Sequence, residues 1–198
     1  MNPQISAREW YKAFWLEVRH ARWADPLREA VLKQCLKNWT RHLTGAVVAT
    51  CHALGWTAVA RDHLADVLPV AKQEYLAIDV MAFPASESPG WRRPVAVFEL
   101  ENRLEEDIVA YSLWKVNLIR CPLAAVFCYR QDQEEIGSLL SALAHSVMGE
   151  LEGTSPGEGR STLLVVGTRS RGEDFPDGFF KPYVWDSAHR QFRTLLMK

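Results

Sequence analysis

The sequence lacks the features of several specialised classes of protein. Its four cysteines are widely separated and include no CxxC pair, which disfavours a zinc ribbon or a disulfide framework and favours a reducing compartment. Glycine and proline number 11 and 10, too few for a collagen-like or disordered chain. The longest apolar stretch, residues 44–54, is too short to span a bilayer, and the charged N-terminal segment has no signal-peptide core. We therefore expect a cytoplasmic protein with no membrane partner.

Neither sign of charge is in excess over the whole chain. The 198 residues include 23 Lys and Arg against 24 Asp and Glu, a net charge of −1, which excludes a protein that coats nucleic acid without specificity. The charge is unevenly placed, however. Residues 1–63 contain nine basic and five acidic residues, whereas residues 99–107 contain five acids and one arginine. This distribution is compatible with an enzyme that contacts nucleic acid at one patch.

The first 55 residues have helical spacing. Apolar residues at steps of three and four predict one helix from Ile5 to Trp23. They predict a second helix that ends at Leu54, with Asp25 as its N-cap and Pro26 at its first position. We expect tryptophans on such stripes, namely Trp10, Trp39 and Trp114, to lie in the core.

From residue 56 onward the pattern alternates between strands and helices. Apolar runs predict strands at 56–60, 74–83, 94–100, 122–129, 161–167, 183–185 and 191–195. Helices are predicted at 103–118, with a capping box from Asn102 and Glu105, and after the N-cap Asp132. This order favours one α/β domain over residues 1–198, in which a mixed central sheet is flanked by helices in three layers. It has a helical part (1–55), a core (56–130) and a part with one helix and a C-terminal β-hairpin (131–198).

Carboxylates inside two of the predicted strands are the most informative feature. Asp79 and Glu99 are each surrounded by apolar residues, and burying a carboxylate costs several kcal/mol unless it is paired or binds a cation. A symmetric hairpin with Phe83 opposite Val95 brings Asp79 opposite Glu99. Glu101 projects from the same face as Glu99 because side chains alternate along a strand. A hard divalent cation such as Mg²⁺ would compensate three converging carboxylates. The spacing equally allows a hydrogen-bonded Asp79 beside a solvent-facing Glu99 and Glu101.

The order of these features resembles the PD-(D/E)XK nuclease superfamily. In that family an Asp on one strand is followed by a Glu-x-Lys motif on the next strand, then by a helix and an apolar strand. The resemblance implies a restriction-endonuclease-like αβββαβ core over residues 26–130. It identifies Asp79 and Glu99 as metal ligands for Mg²⁺ or Mn²⁺, together with the backbone carbonyl of Leu100. Glu101 stands where the family usually has the motif lysine, and Ile78 precedes Asp79 in place of proline. Some members of the family carry Glu at this position, and others have the lysine on a neighbouring helix.

The helix predicted at 103–118 contains a candidate for a relocated lysine. Asp107, Tyr111 and Lys115 are spaced i, i+4 and i+8 and therefore share one face. The first two are similar to the Gln-x-x-x-Tyr element of RecB-like nucleases, with Asp in place of Gln. The alternative is that Asp107 and Lys115 are solvated and that the acids simply suit a helix N-terminus.

The resemblance implies a metal-dependent DNA endonuclease in which Asp79, Glu99, Glu101 and Lys115 are catalytic and Asp107 and Tyr111 support them. DNA is then the expected partner, and a homodimer is possible. Candidate DNA contacts are basic or aromatic residues of the first helices and of the 84–94 loop: Arg19, Arg22, Trp91, Arg92 and Arg93. The alternative is a catalytically degenerate nuclease-like fold that acts as an interaction or regulatory protein.

Overall fold

The structure is a computed structural model that describes residues 5–70, 74–151 and 159–197. Three N-terminal helices precede the sheet: α1 (Ala7–Val18), α2 (Ala21–Leu32) and α3 (Leu36–Ala53). The prediction of two longer helices was wrong. Pro26 lies inside α2 rather than at the start of a helix, and Asp25 is not an N-cap. The helix expected to run to Leu54 is interrupted because Gln34 has a left-handed backbone, with φ of 52°, which ends α2.

A seven-stranded mixed sheet forms the centre of the molecule, with the strands in chain order. The strands are β1 (Trp56–Ala60), β2 (Val80–Pro84), β3 (Ala96–Leu100), β4 (Leu123–Arg130), β5 (Ser161–Thr168), β6 (Phe180–Asp186) and β7 (Gln191–Thr194). The pairs β3–β4 and β4–β5 are parallel and the other four pairs are antiparallel. The prediction of a mixed α/β sheet with a closing hairpin is confirmed.

The remaining helices follow β3 and β4. Helix α4 (Glu106–Leu118) connects β3 to β4, and α5 (Gln133–Leu143) follows β4 and continues as a π turn over Ala144–Met148 and the short α6 (Gly149–Leu151). Asp132 caps α5 as predicted, since its carboxylate accepts two backbone N–H groups. The capping box predicted for α4 is wrong: the Asn102 amide donates instead to Thr40 Oγ1 at 2.7 Å. None of the described helices is long and apolar enough to cross a membrane.

Two apolar cores lie on opposite faces of the sheet. Helices α1–α3 pack on one face, against side chains such as Phe98 and Phe127, and α4 and α5 pack on the other, against Val97 and Val126. Adjacent residues of β3 and β4 therefore serve different cores, as expected for strands buried on both faces. Trp10 and Trp39 are buried in the first core, together with the aromatic residues Phe14, Phe98, Phe127, Phe179 and Phe180. Trp114 was predicted in the core but is 42% exposed, because it lies on the outer side of α4.

Candidate metal centre

The hairpin of β2 and β3 has the predicted register. Val80 pairs with Phe98, Met81 with Val97 and Ala82 with Ala96, and this alignment carries Asp79 to the level of Glu99. Asp79 lies just before β2 rather than inside a strand over residues 74–83. The physical reason is a short 3₁₀ turn, Tyr75–Ala77, in which Leu76 and Ala77 have φ of 55° and 53° and cannot continue an extended chain.

Direct contacts link the two acids. The backbone N–H of Leu100 donates to Asp79 Oδ2 at 2.7 Å, and the backbone N–H of Asp79 donates to Glu99 Oε1 at a long 3.4 Å. Glu99 is only 5% exposed, whereas Asp79 is half-buried. The two carboxylates therefore share one corner of the molecule, at the end of β3 and the start of β2.

Lys115 of α4 supplies a positive charge to this corner. Its Nζ lies 2.8 Å from Glu99 Oε2 and donates to the backbone carbonyl of Ala77, also at 2.8 Å. The left-handed turn that precedes Asp79 thus exposes a carbonyl that holds the ammonium group. Helix α4 crosses the corner, so that its last turn, and not its first, reaches the acids. Of the residues on the predicted helical face, Lys115 is the one that contacts Glu99.

Burial dominates the electrostatics of both acids. The pKa of Glu99 is raised to about 7, first by removal from water and then by the nearby Asp79 charge, against the opposing effect of Lys115. The pKa of Asp79 is also raised, first by burial, although the Leu100 N–H and Lys115 act in the opposite direction. Perturbed pKa values cluster at functional sites, and structural ion-pair networks shift them as well, so the raised values make this corner a candidate site without deciding its role.

Glu101 reaches the same face but is held separately. Its Oε1 accepts from the backbone N–H of Arg103 at 2.8 Å, and its Oε2 from Ser112 Oγ of α4 at a long 3.4 Å. Its negative charge contributes to the raised pKa of Asp79. Glu99 and Glu101 therefore both face α4, as the alternation predicted, while within the described residues Glu101 makes no hydrogen bond to Asp79, Glu99 or Lys115.

The other two residues of the predicted helical face lie on the surface. Asp107 is exposed in the first turn of α4, where an acid interacts favourably with the helix dipole. Tyr111 is 57% exposed; its ring stacks on Trp114, with 5.8 Å between centroids, and Lys115 Nζ lies 5.9 Å from the Tyr111 ring centroid. Neither residue contacts Asp79 or Glu99.

The available donors suit a hard cation. Two carboxylates and a neighbouring backbone carbonyl form an all-oxygen set of the kind that binds Mg²⁺. In residues 5–70, 74–151 and 159–197, however, no group of three or more His, Cys, Asp or Glu side chains is arranged to hold a metal ion. Of the ligands that the resemblance implies, the described residues thus offer two carboxylates, Asp79 and Glu99, and the backbone carbonyl of Leu100.

The structure does not bring the candidate DNA-contact residues to this centre. Arg19 pairs with Asp177 and Arg22 with Glu17, on the face of the sheet that carries α1–α3. Trp91, Arg92 and Arg93 lie in the β2–β3 loop, which joins the ends of the two strands opposite to Asp79 and Glu99. Trp91 is 78% exposed, and Arg92 binds the Ser88 carbonyl at 2.7 Å.

Sequence reasoning missed two groups that shape the site. The Ala77 carbonyl could not be expected, because a strand was predicted over the turn that presents it. Ser112 was detectable, since it lies three residues before Lys115 and therefore on the same side of a helix.

Known families and proteins give no further indication of the site's role. No protein-family model matches the chain, and a search of curated proteins finds no significantly similar sequence.

Proposed function

We propose that the protein is a metal-dependent DNA endonuclease with a restriction-endonuclease-like core. The observation that carries the proposal is the contact between Lys115 Nζ and Glu99 Oε2 beside Asp79. It supplies, from α4, the positive charge that the motif lacks at Glu101. The order α3–β1–β2–β3–α4–β4 supports the same proposal, because it is the αβββαβ order that the resemblance implies.

In this proposal Asp79, Glu99 and the Leu100 carbonyl hold Mg²⁺ or Mn²⁺. A bound metal ion of this kind lowers the pKa of water and stabilises negative charge on a scissile phosphate. Lys115 favours the ionised form of Glu99, orients its carboxylate, and contributes positive charge beside the phosphate. The Glu101 carboxylate would accept the proton of the attacking water; as the water oxygen bonds to phosphorus, the phosphorus bond to the leaving sugar oxygen breaks, and that oxygen takes a proton from solvent water.

A specific observation favours the second candidate, a catalytically degenerate fold that serves as an interaction protein. The Lys115 ammonium group already compensates Glu99, and Glu101 is occupied by Arg103 and Ser112. In that case the acidic corner is a structural ion pair and needs no metal.

Metal titration and cleavage assays distinguish the two candidates. Mn²⁺ binding is measured by calorimetry, and cleavage is measured on linear, circular and single-stranded DNA, for the wild type, Asp79→Asn and Glu99→Gln. Asp66→Asn is the matched control, since Asp66 is exposed. We expect both site variants to remain folded by circular dichroism but to lose Mn²⁺ binding and cleavage, with the control unchanged. If the wild-type protein neither binds Mn²⁺ nor cleaves DNA, the nuclease proposal is wrong and the second candidate, a degenerate fold that acts as an interaction protein, is favoured.

A further inference from the structure

A cavity of about 360 Å³ opens at the carboxyl ends of the parallel strands, on the other face of the sheet from Lys115. Its walls come from the α2–α3 turn and from the segments that follow β3, β4 and β5. The lining includes Gln34, Leu36, Trp39, Asn102, Tyr129, Gln131 and Arg169. The volume lies within the range of small-molecule sites, about 300–1,000 Å³. Ligands of open α/β sheets bind at this edge.

Several polar groups of this pocket are able to donate hydrogen bonds to a ligand. The Arg169 guanidinium is exposed and has no ion pair or hydrogen bond to any residue that the structure describes. The side-chain amides of Gln34 and Gln131, both exposed, are likewise unpaired within the described ranges. An arginine and amide donors around one cavity suit an anion, above all a phosphate group, to which arginine can donate two parallel hydrogen bonds.

Tyr129 gives the pocket a buried donor. The residue is only 3% exposed, and its hydroxyl accepts from Trp39 Nε1 at 2.6 Å. No acceptor for the hydroxyl's own hydrogen lies among residues 5–70, 74–151 and 159–197. Burial keeps the pKa of Tyr129 far above its usual range, so the hydroxyl retains this hydrogen.

The N-terminus of α3 adds a partial positive charge at the same place. This helix has 18 residues, and its N-cap, Cys35, gives no side-chain hydrogen bond to the free backbone N–H groups. Leu36 and Trp39 of its first turn line the pocket. Free N–H groups at the positive end of a long helix favour a bound anion.

We propose that this pocket binds the phosphate group of a nucleotide, with Arg169 and the Tyr129 hydroxyl as donors. The inference rests on the proposed nuclease function only for the source of the phosphate, which would be the bound strand. Two consecutive residues after β3 connect the proposed metal centre with the pocket. Glu101 accepts a hydrogen bond from Ser112 of α4 on the side of the metal centre, and the next residue, Asn102, donates to Thr40 of α3 beside the pocket. Both places lie at the same edge of the sheet but on opposite faces, and from β2 to β5 this edge spans three strand spacings, roughly 14 Å, so a strand of nucleic acid would have to cross the edge to contact both.

Binding in the absence of metal tests the proposal independently of catalysis. In EDTA and at constant ionic strength, calorimetry and fluorescence titrations use three probes: inorganic phosphate, a mononucleotide, and a short 5′-phosphorylated single-stranded oligonucleotide with its unphosphorylated counterpart. The variants are Arg169→Gln and Tyr129→Phe. Arg171→Gln is the matched control, because Arg171 is in the same turn but paired with Asp174 at 3.0 Å.

We expect the wild type and Arg171→Gln to bind the phosphorylated probes alike, and Arg169→Gln to bind them at least about tenfold more weakly, the loss of roughly one charge-assisted hydrogen bond. The preferred probe identifies the source: a free nucleotide, or a strand with a terminal phosphate. Binding by Asp79→Asn should equal that of the wild type, so a failed metal centre leaves this result intact. Absence of phosphate binding, or equal binding by Arg169→Gln and the wild type, would overturn the proposal.

Discussion

The carboxylate of Glu99 is deeply buried, although the proposed reaction needs it in its ionised form. Its pKa is raised to about 7, mainly because burial removes it from water, whereas the carboxyl titrates near 4.5 in the unfolded chain. The folded state therefore binds this proton more tightly than the unfolded state does. Stability attributable to Glu99 is fully present below about pH 4.5 and is lost as the pH rises to about 7.

Replacing Glu99 by Gln should remove this dependence. We expect Glu99→Gln to have a higher free energy of unfolding than the wild type at pH 8, by on the order of 1–3 kcal/mol, and a similar one near pH 4.5. Urea denaturation across this range measures the difference, with the exposed Glu87→Gln as control. Parallel stability curves for the wild type and Glu99→Gln would show that the Lys115 contact fully compensates the buried charge.

The ammonium group of Lys115 distinguishes a working centre from a structural ion pair. In Lys115→Met the stem keeps its packing, but Glu99 loses its positive partner and the phosphate loses a nearby charge. We expect cleavage to fall at least about 100-fold while Mn²⁺ is still bound, as measured by single-turnover assays beside calorimetry. Lys33→Met, which removes an exposed pair with Glu29, should be fully active. Undiminished cleavage by Lys115→Met would remove this lysine from the mechanism.

At the scale of elements, β5 carries a glycine where the neighbouring strand carries a large ring. A Cβ on Gly167 would lie 2.5 Å from Tyr129 Cδ1 and 2.8 Å from Phe179 Cε1, far inside normal contact. Since both rings line or border the proposed phosphate pocket, we expect Gly167→Ala to lower the free energy of unfolding by about 1–3 kcal/mol and to weaken phosphate binding.

The control for this change lies on α5. Gly137 has open space where a Cβ would be, so Gly137→Ala should be neutral or stabilising, by up to about 1 kcal/mol, because alanine favours a helix. Chemical denaturation of both variants measures the contrast. Equal stability of Gly167→Ala and the wild type would mean that the Tyr129 ring moves aside at little cost.

Strand content and register were predictable from sequence, and backbone direction at turns was not. The strand at 122–129 was predictable from its continuous apolar run, and the alignment of Asp79 with Glu99 from a symmetric hairpin; the structure confirms both. The left-handed residues Gln34, Leu76 and Ala77 carry no glycine or asparagine signal, so the helix break and the turn before Asp79 were missed. The contact of Lys115 with Glu99 depended on how α4 crosses the sheet, which helical spacing alone does not determine.

At the scale of the whole molecule, the central sheet couples its two cores. Alternate residues of the same strands enter different cores, so neither helical layer can separate without exposing one face of the sheet. We therefore expect residues 1–198 to unfold as one cooperative unit, with tryptophan fluorescence and far-ultraviolet circular dichroism changing together.

Cavities placed in each core test this coupling. Leu43 lies in the core under α3 and Leu113 in the core under α4, and both are fully buried. We expect Leu43→Ala and Leu113→Ala each to lower the free energy of unfolding by about 2–5 kcal/mol and to shift a single transition, with additive effects in the double variant because the sheet separates the two sites. If one variant instead produced a second transition seen by only one probe, the helical layer on that face would be an independently folding part.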